Sequence, residues 1–533
     1  MNRAPRTPTT LLAIIASAIA ALTPGIFAPD ASAQSHWPAL ARDAARTGLA
    51  TGLRFDLASP VWTTTHLPTG EPIDIVGPVG PVATADTVIV LAEIAGDDHL
   101  LALDPADGSV LWHAPVPPRF LDSAATPVIS TDANLVAHAS DFSVTALDLA
   151  TGVVLWQTDL LADAVNASPI ITADLGPRDR LFITDYDPFL AGARLYCINV
   201  DPFDASLNPH QPGDIVWSVG VGSAAGGSPA YHGGVVFVPT AGLGGFGAGS
   251  ILAFDATADT PPTPLWSFTN TKPEGFFGGL SLHESQGQLS LFAASYAFTG
   301  TRDSANLVKL DADTGDLVWS VNANRTNATP IPLGDRRILL STGIDGFGTT
   351  TALQLFLDRG DTATRLWDSA LATWTDTNAN GSLDPGEFLR VGAWNHQPAL
   401  LRTGTGLIAY TARAPLSSDP AVAAEALAAI DLSFAPRSPA FVDQQAPALG
   451  NSPAIAGNLL LTTGPAGVAA FAPLAAFDVD HDGVLTIDDL HAWEQGRGDR
   501  DINQDQTINS ADRALLIAEL RRREPDDQRE GRR

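Results

Sequence analysis

A twelve-residue segment near the C-terminus, from Asp478 to Asp489, has the clearest chemical pattern in the chain. Side chains that carry oxygen stand at its positions 1, 3, 5 and 9, a glycine stands at position 6, and an acidic residue closes it at position 12. A hard cation such as Ca²⁺ takes six or more oxygen ligands, which a loop with this spacing supplies from side chains and one backbone carbonyl. The segment predicts a calcium site with the ligands Asp478, Asp480, Asp482, Val484 (carbonyl), Thr486 (through water) and Asp489.

A second segment with the same register begins at Asp501. Gln506 replaces the turn glycine, and a non-glycine residue in a left-handed conformation costs stability, so we expect the weaker site here. Leu485 and Ile508 occupy the apolar position that joins each loop to a core. The predicted ligands of the second loop are Asp501, Asn503, Asp505, Thr507, Asn509 and Asp512.

A third segment of this kind interrupts the middle of the chain and ends in a glutamate at position 12. Pro385 and Gly386 disfavour a helix that enters at position 10, so we expect a calcium-stapled turn that holds an insertion. The alternative is an ordinary polar turn. The predicted ligands are Asp376, Asn378, Asn380, Ser382, Asp384 and Glu387.

Each C-terminal loop leads into a stretch with helical spacing of apolar residues, 490–495 and 513–522. This pair of Asp-terminated loops resembles a type I dockerin with two EF-hand-like loops, over residues 476–522. The resemblance implies calcium-dependent binding to a cohesin-like or cell-surface protein that tethers a secreted chain. Well-known dockerins recognise the cohesin with a Ser-Thr pair at positions 10 and 11 of each loop, where this chain has Ile487-Asp488 in the first loop and Ser510-Ala511 in the second. The alternative is an Asp- and Asn-rich tail of turns.

The chain that precedes these loops is built from one repeated pattern. An apolar strand ends in Asp, a turn with Gly follows, and the next strand contains Trp. The copies are Leu100–Asp104 with Trp112, Val144–Asp148 with Trp156, Leu195–Asn199 with Trp217, Ile251–Asp255 with Trp266, Leu307–Asp311 with Trp319, Leu355–Asp358 with Trp367, a degenerate one from Leu427 to Asp431 with Phe441, and a partial one from Ser452 to Phe471.

Spacings of roughly 45 to 60 residues suit four short strands per unit. Ser59 to Trp62 resembles the final strand of a unit and completes the eighth copy, which closes a ring without free sheet edges. The prediction is a mainly β, eight-bladed β-propeller, or seven-bladed if the degenerate copy is an insertion, followed by a small α-helical calcium module. We expect each Trp to pack between neighbouring blades. Cys197 stands where other copies have alanine and should be a small buried residue.

The Asp-x-x-Thr-Gly-x-x-x-Trp motif, with Trp37-Pro38, Asp43 and Arg46-Thr47-Gly48 before it, resembles the pyrroloquinoline quinone (PQQ)-like propeller repeat over about residues 36–474. Quinoprotein alcohol dehydrogenases and the outer-membrane assembly factor BamB have this repeat. In the dehydrogenases the resemblance implies a quinone under vicinal cysteines, with calcium and a catalytic Asp. Cys197 is the sole cysteine, and no position carries the Asp role, so PQQ is not expected. BamB-type members are non-catalytic scaffolds anchored through a lipidated Cys, which this chain lacks.

The N-terminal residues 1–33 read as a secretory signal. Two arginines precede an apolar run of 12 residues, too short for a membrane span of ~20, and Ala31-Ser32-Ala33 suits cleavage before Gln34. The formal charge of −29 argues against nucleic acid and anionic membranes as partners. The expected organisation is a signal peptide (1–33), a propeller (34–474) with the calcium-loop insertion 376–387, a dockerin-like module (475–522) and a charged tail (523–533).

These features predict a secreted or cell-surface-associated binding or scaffold protein without catalytic activity and without a transmembrane segment. The alternatives are a secreted quinoprotein-type or polysaccharide-related enzyme, and a BamB-like assembly factor. The partner of the propeller stays open at this point.

Overall fold

The structure, a computed structural model, describes most of the propeller region and part of the C-terminal module. The described residues are 36–473, without 53, 76, 120–122, 124, 188–191, 223–225, 243–245, 345–348, 374–386, 404–405, 415–424 and 433–440, and then 477–480, 487–498, 500, 508, 510, 513–514, 516–517 and 520. The predicted signal segment, the ligands of the second calcium loop, those of the third loop except Glu387, and the charged tail lie outside these residues.

Eight sheets of four or five strands form the blades of a propeller, which confirms the predicted mainly β, eight-bladed fold. Within blades 1 to 7 the chain runs from the first to the fourth strand through antiparallel neighbours. Blade 1 consists of β3 (Val82–Ala83), β4 (Val88–Ile94), β5 (Asp97–Leu103) and β6 (Val110–Pro115), and blade 2 consists of β7 (Val128–Ser130), β8 (Leu135–Ser140), β9 (Ser143–Asp148) and β10 (Val154–Asp159). Blade 3 consists of β11 (Ile170–Ile171), β12 (Arg180–Thr184), β13 (Ala193–Asn199) and β14 (Ile215–Gly222). Blade 4 consists of β15 (Ala230–His232), β16 (Val235–Pro239), β17 (Ser250–Asp255) and β18 (Trp266–Thr269).

The second half of the ring repeats this arrangement. Blade 5 consists of β19 (Leu280–Ser285), β20 (Gln288–Ala294), β21 (Ala305–Asp311) and β22 (Leu317–Ala323), and blade 6 consists of β23 (Ile331–Pro332), β24 (Arg337–Thr342), β25 (Ala352–Asp358) and β26 (Ala363–Asp368). Blade 7 consists of β27 (Ala399–Arg402), β28 (Leu407–Arg413), β29 (Ala426–Asp431) and β30 (Phe441–Ala446). Blade 8 consists of β31 (Ala454–Ala456), β32 (Leu459–Gly464), β33 (Gly467–Phe471) and the N-terminal β2 (Trp62–Thr64).

The ring closes through a strand from the start of the chain. β2 pairs with β33, with Trp62 opposite Ala470 and Thr64 opposite Val468, so the segment that follows Ser59 completes the eighth blade as predicted. The degenerate copy supplies β29 and β30 of a full seventh blade, and the seven-bladed alternative is therefore wrong.

The apolar core lies between neighbouring blades. Middle strands such as β8 and β9 are buried along nearly their whole length, whereas the outer strand β6 alternates buried and exposed residues because one face meets solvent. Cys197 is buried in this core as predicted, opposite Trp217 on the neighbouring strand, and burial raises the pKa of its thiol. Two short helices, α1 (Ser369–Ala372) and α2 (Ile487–Glu494), are present, and neither they nor other described helical residues form a segment that could span a membrane.

Repeated Trp and Gly residues contact each other between several pairs of neighbouring blades, which confirms the predicted position of these Trp rings. The indole N–H of Trp112 donates to the carbonyl of Leu149 in the next blade at 3.0 Å. A Cβ placed on Gly152 would lie 2.5 Å from Cε3 of Trp112, so the turn needs glycine for this contact as well as for its φ of 71°. The same contact joins Gly108 to Trp62 (2.4 Å) and Gly315 to Trp266 (2.5 Å).

Replacement of Gly152 by alanine is expected to lower the free energy of unfolding by about 2–4 kcal/mol, because the new Cβ adds overlap with the indole to the cost of positive φ. Gly287→Ala is the matched control, since Gly287 has a φ of 77° but open space around its Cβ position. Urea unfolding of the full chain measures both variants. Equal losses would show that the ring contact contributes nothing beyond backbone strain.

The segment of residues 37–51, here called the axial plug, closes the centre of the ring. The first strands of neighbouring blades contact one another around the axis, as β3 does with β7 and β31. The plug forms main-chain hydrogen bonds with first strands on several sides, and its strand β1 (Leu49–Thr51) pairs in parallel with β27. These bonds join Trp37 to Ala83, Pro38 to Ile129, Ala44 to Tyr231, Ala45 to Leu282 and Gly48 to Leu400.

Arg46 holds the plug in place from inside. Its side chain is fully buried, and its guanidinium donates to the carbonyls of Leu40, Ser168 and Pro229 at 2.8–2.9 Å. Burial lowers its pKa to about 9, while Asp43 acts in the opposite direction. The plug is therefore bound to blades 3 and 4 by a charged group that donates to three backbone carbonyls.

Candidate functional site

Three carboxylates of the first C-terminal loop converge at one point. Ligand oxygens of Asp478, Asp480 and Asp489 all lie within 4.8 Å of one another. Asp478 and Asp489 are buried and Asp480 is exposed, which leaves the group open on one side. These are positions 1, 3 and 12 of the predicted loop, whereas Asp482, Val484 and Thr486 lie outside the described residues. Carboxylates this close repel one another unless a cation lies between them, so the cluster has the chemistry of a hard-cation site.

The local fold positions this cluster. α2 begins at Ile487, three residues before the expected start, because acidic residues in its first turn complement the helix dipole. This start places Asp489 against the first residues of the segment, where its carboxylate accepts from the backbone N–H of Val479 at 2.7 Å. Val479, Ala492 and Leu516 form a small buried core around these elements.

Parts of the second and third loops and of the second helix also lie among the described residues. Residues 513–514, 516–517 and 520 have helical backbone, where the second helix was expected. Ile508, expected at the core-facing position of the second loop, is instead half exposed, and the small core of the module contains Val479, Ala492 and Leu516. In the third loop Glu387 is buried, and the amide of Leu389 donates to the carbonyl of Thr373 at 2.8 Å across the base of the insertion.

A second candidate site is a funnel of about 340 Å³ on the propeller axis, with Leu40 of the plug in its lining. Amide, hydroxyl and aromatic side chains from most blades surround it. They include Thr126, Asn166, Ser168, Ser228, Phe277, Asn327, Trp394, Asn395, Gln397 and Ser452.

A ring of hydrogen bonds holds the walls of this funnel. In each case the side chain of the residue that precedes a first strand accepts from the backbone N–H of the equivalent residue in the preceding blade. The N–H of Thr126 donates to Ser168 Oγ and the N–H of Ser168 donates to Ser228 Oγ, both at 2.9 Å. On the other side Thr329 donates to Gln397 Oε1 at 2.8 Å and Gln397 to Ser452 Oγ at 2.9 Å. The recurring Ser/Thr-Pro pairs were a signal for this ring, but their spacing alone does not show that their side chains meet.

The described lining of the funnel lacks the charged groups that a bound PQQ would need. PQQ bears three carboxylates and needs cationic partners, yet the described lining residues include no Lys, Arg or Cys. Cys197, the single cysteine, is buried in the core of blade 3 and its neighbours. The described lining therefore does not fit this group.

The fold and its repeats define a class: eight-bladed propellers built from PQQ-like repeats. A family model described as outer membrane protein assembly factor BamB matches residues 50–200 and 247–385, more than half of the chain. The chain belongs to this BamB-type repeat family.

Two solved structures of dehydrogenases agree with the fold. A europium-containing methanol dehydrogenase is 11% identical, with 86% of this chain and 93% of that chain covered and a TM-score of 0.52. The quinohemoprotein alcohol dehydrogenase ADHIIG from Pseudomonas putida HK5 is 11% identical, with 84% and 77% covered and a TM-score of 0.50. BamB from Moraxella catarrhalis is 14% identical, with 78% and 96% covered and a TM-score of 0.47. At these identities the likeness concerns the fold alone. Comparison with curated proteins gives no significant match.

Proposed function

We propose that this chain is an exported, non-catalytic propeller that binds calcium through a dockerin-like C-terminal module and docks through that module to a scaffold or cell-surface protein. The observation that carries the proposal is the convergence of Asp478, Asp480 and Asp489 within 4.8 Å. Asp478 and Asp489 are eleven positions apart in the sequence, and the fold of the module brings their carboxylates together.

Other features support the two halves of this proposal. The signal-like residues 1–33, with cleavage expected after Ala33, support export to the periplasm or beyond the cell. The neutral lining of the funnel and the single buried cysteine support a propeller without quinone chemistry. The second loop from Asp501 and the insertion from Asp376 would add two calcium sites of the same ligand chemistry.

The calcium site is tested by titration of the mature, full-length chain. Asp489→Asn is expected to weaken calcium binding at one site at least tenfold, because it removes one charge and one carboxylate oxygen from the cluster. Asp488→Asn, one residue earlier on the exposed side of α2, makes the same chemical change outside the predicted ligand set and should leave the affinity within about twofold of wild type. Isothermal titration calorimetry with CaCl₂ gives the affinities and the number of sites. Indistinguishable titrations of the two variants would refute the assignment.

Docking is tested with wild type and Asp489→Asn in a pull-down from an extracellular and cell-envelope fraction, without Asp488→Asn, because Asp488 stands at one of the two loop positions with which dockerins bind a cohesin. A partner that is retained with calcium, released by EGTA and lost with Asp489→Asn supports docking through the module. The family match favours one other function, that of an assembly factor like BamB. That function predicts partners from an outer-membrane complex that stay bound in EGTA, an outcome that would overturn calcium-dependent docking.

A further inference from the structure

The described lining residues of the axial funnel carry no charge, although the protein is strongly acidic. The chain has 59 acidic residues and a formal charge of −29, yet the described lining residues of the funnel include none with a charged side chain. Amides from Asn166, Asn327 and Asn395 and hydroxyls from the Ser/Thr ring supply its polar groups instead. Such a lining suits an uncharged ligand with many hydrogen-bonding groups, since an ion placed here would lose its hydration without gaining a counter-charge.

One polar atom of the lining needs a partner. Asn327 Oδ1 is buried and has no hydrogen-bond partner among the described residues. Gln397 is different, because its amide accepts from the N–H of Thr329 and donates to the carbonyl of Thr329. A buried carbonyl oxygen without a partner is costly, and a donor from a ligand would satisfy it. Asn327 therefore marks a place for a hydroxyl or N–H group.

Aromatic rings form one side of the same funnel. Phe277 and Trp394 line it, and Tyr296 packs between them with ring centroids 5.6 Å and 5.5 Å away. Phe298, which is 42% exposed, extends this group at 5.0 Å from Tyr296. Packed rings offer a rigid apolar surface at little cost in conformational entropy.

The aromatic and amide groups are also joined to each other. The N–H of Asn327 donates to the carbonyl of Trp394, and the Thr326 hydroxyl donates to that same carbonyl at 3.1 Å. The backbone segments that carry Trp394 and Asn327 are thus joined before any ligand arrives, which favours a preorganised site.

We infer that the axial funnel binds a neutral oligosaccharide. Sugar rings have apolar C–H faces that stack on aromatic rings and hydroxyls that exchange hydrogen bonds with amides, and they carry no charge. Nucleotides and carboxylated quinones share the planar surface but are anions, which this lining does not accommodate. The volume of about 340 Å³ falls in the range of small-molecule sites. This inference is independent of the calcium module, since none of the lining residues belongs to it.

The test uses the mature full-length chain and neutral hexasaccharides of glucose, xylose, mannose and N-acetylglucosamine as probes in isothermal titration calorimetry. At least one probe should bind, and hexagalacturonate, which is negatively charged, should not. Trp394→Ala should weaken binding at least tenfold. Phe203→Ala, which truncates an exposed aromatic residue outside the funnel lining, should leave it unchanged.

A second variant guards against misfolding of Trp394→Ala. Asn395→Ala removes a half-buried lining amide and should weaken binding at least threefold with an unchanged circular dichroism spectrum. EGTA should have no effect, which separates a failure here from a failure of the calcium proposal. Absence of binding by every neutral probe at millimolar concentration, or equal affinity in the Trp394, Asn395 and Phe203 variants, would overturn the inference.

Discussion

The free energy of unfolding should fall by about 3 kcal/mol for each of two buried histidines, His138 and His396, as the pH decreases from 6.5 to 4. Burial lowers the pKa of His138 to about 4 and that of His396 to about 3. The unfolded chain, with ordinary histidine pKa values near 6.5, takes up both protons through this window, whereas in the folded chain His396 stays largely neutral and His138 begins to take up its proton only near pH 4. Protons therefore favour the unfolded state, and stability is present above about pH 6.5 and is lost toward pH 4.

The surroundings of the two rings explain these low pKa values. His138 lies on β8, and neither of its ring nitrogens has a hydrogen-bond partner among the described residues. Asp98 stabilises an imidazolium there but Arg119 opposes it, so desolvation dominates. His396 accepts from the N–H of Ala412 through Nε2 at 2.9 Å, and protonation at that nitrogen would break the bond.

Urea unfolding of wild type and His138→Leu across this pH window measures the effect. The variant should retain its stability at neutral pH, because an apolar side chain replaces unpaired nitrogens. Its unfolding between pH 6.5 and 4 should take up about one proton fewer than that of wild type, so its stability should depend less steeply on pH. His66→Gln is the control, since His66 is exposed. If His138→Leu and wild type lose stability in parallel between pH 6.5 and 4, the buried histidine does not govern acid sensitivity.

Arg46→Met should reduce the free energy of unfolding by about 3 kcal/mol or more. The substitution keeps much of the side-chain volume but leaves the carbonyls of Leu40, Ser168 and Pro229 without their donor, and each buried orphan costs about 1–3 kcal/mol. Removal of a guanidinium whose burial already lowers its pKa returns part of that loss, so the net effect stays below the sum of three bonds.

Two further variants place the Arg46 result on a scale. Arg46→Lys keeps the charge but loses the planar guanidinium with its several N–H donors, so its free energy of unfolding should lie between those of Arg46→Met and wild type. Arg178→Met removes an exposed arginine that is 3.3 Å from Asp259, and should cost under about 1 kcal/mol. Unfolding midpoints in urea rank the series. A loss for Arg46→Met no larger than that for Arg178→Met would mean that the plug does not depend on this residue.

The repeated features of the fold were predictable from the sequence because they recur at a constant offset. An Asp whose side chain accepts from the amides of the next turn, as Asp148 does from Ala150 and Thr151, is a local contact that each copy displays again. The Trp–Gly contact between Trp112 and Gly152 also recurs at other blade junctions, as between Trp62 and Gly108, and the number of blades and the closure through Trp62 followed from counting copies of the sequence pattern. The loop from Asp478 to Asp489 was legible for the same reason, since its ligands lie within twelve consecutive residues.

Contacts that occur once had no such signal and were decided by the tertiary structure. Arg46 meets the carbonyl of Pro229 across 183 positions, and Trp394 comes next to Phe277 and Asn327 at the funnel only when the ring is closed. The burial of Asp489 likewise depends on the core of Val479, Ala492 and Leu516. Sequence alone determined the repeat, the closure of the ring and the candidate ligands, because local and periodic interactions produce a recognisable spacing of residue types. Tertiary structure decided the axial plug, the lining of the funnel and the convergence of carboxylates, because ring closure and core packing select which distant residues meet.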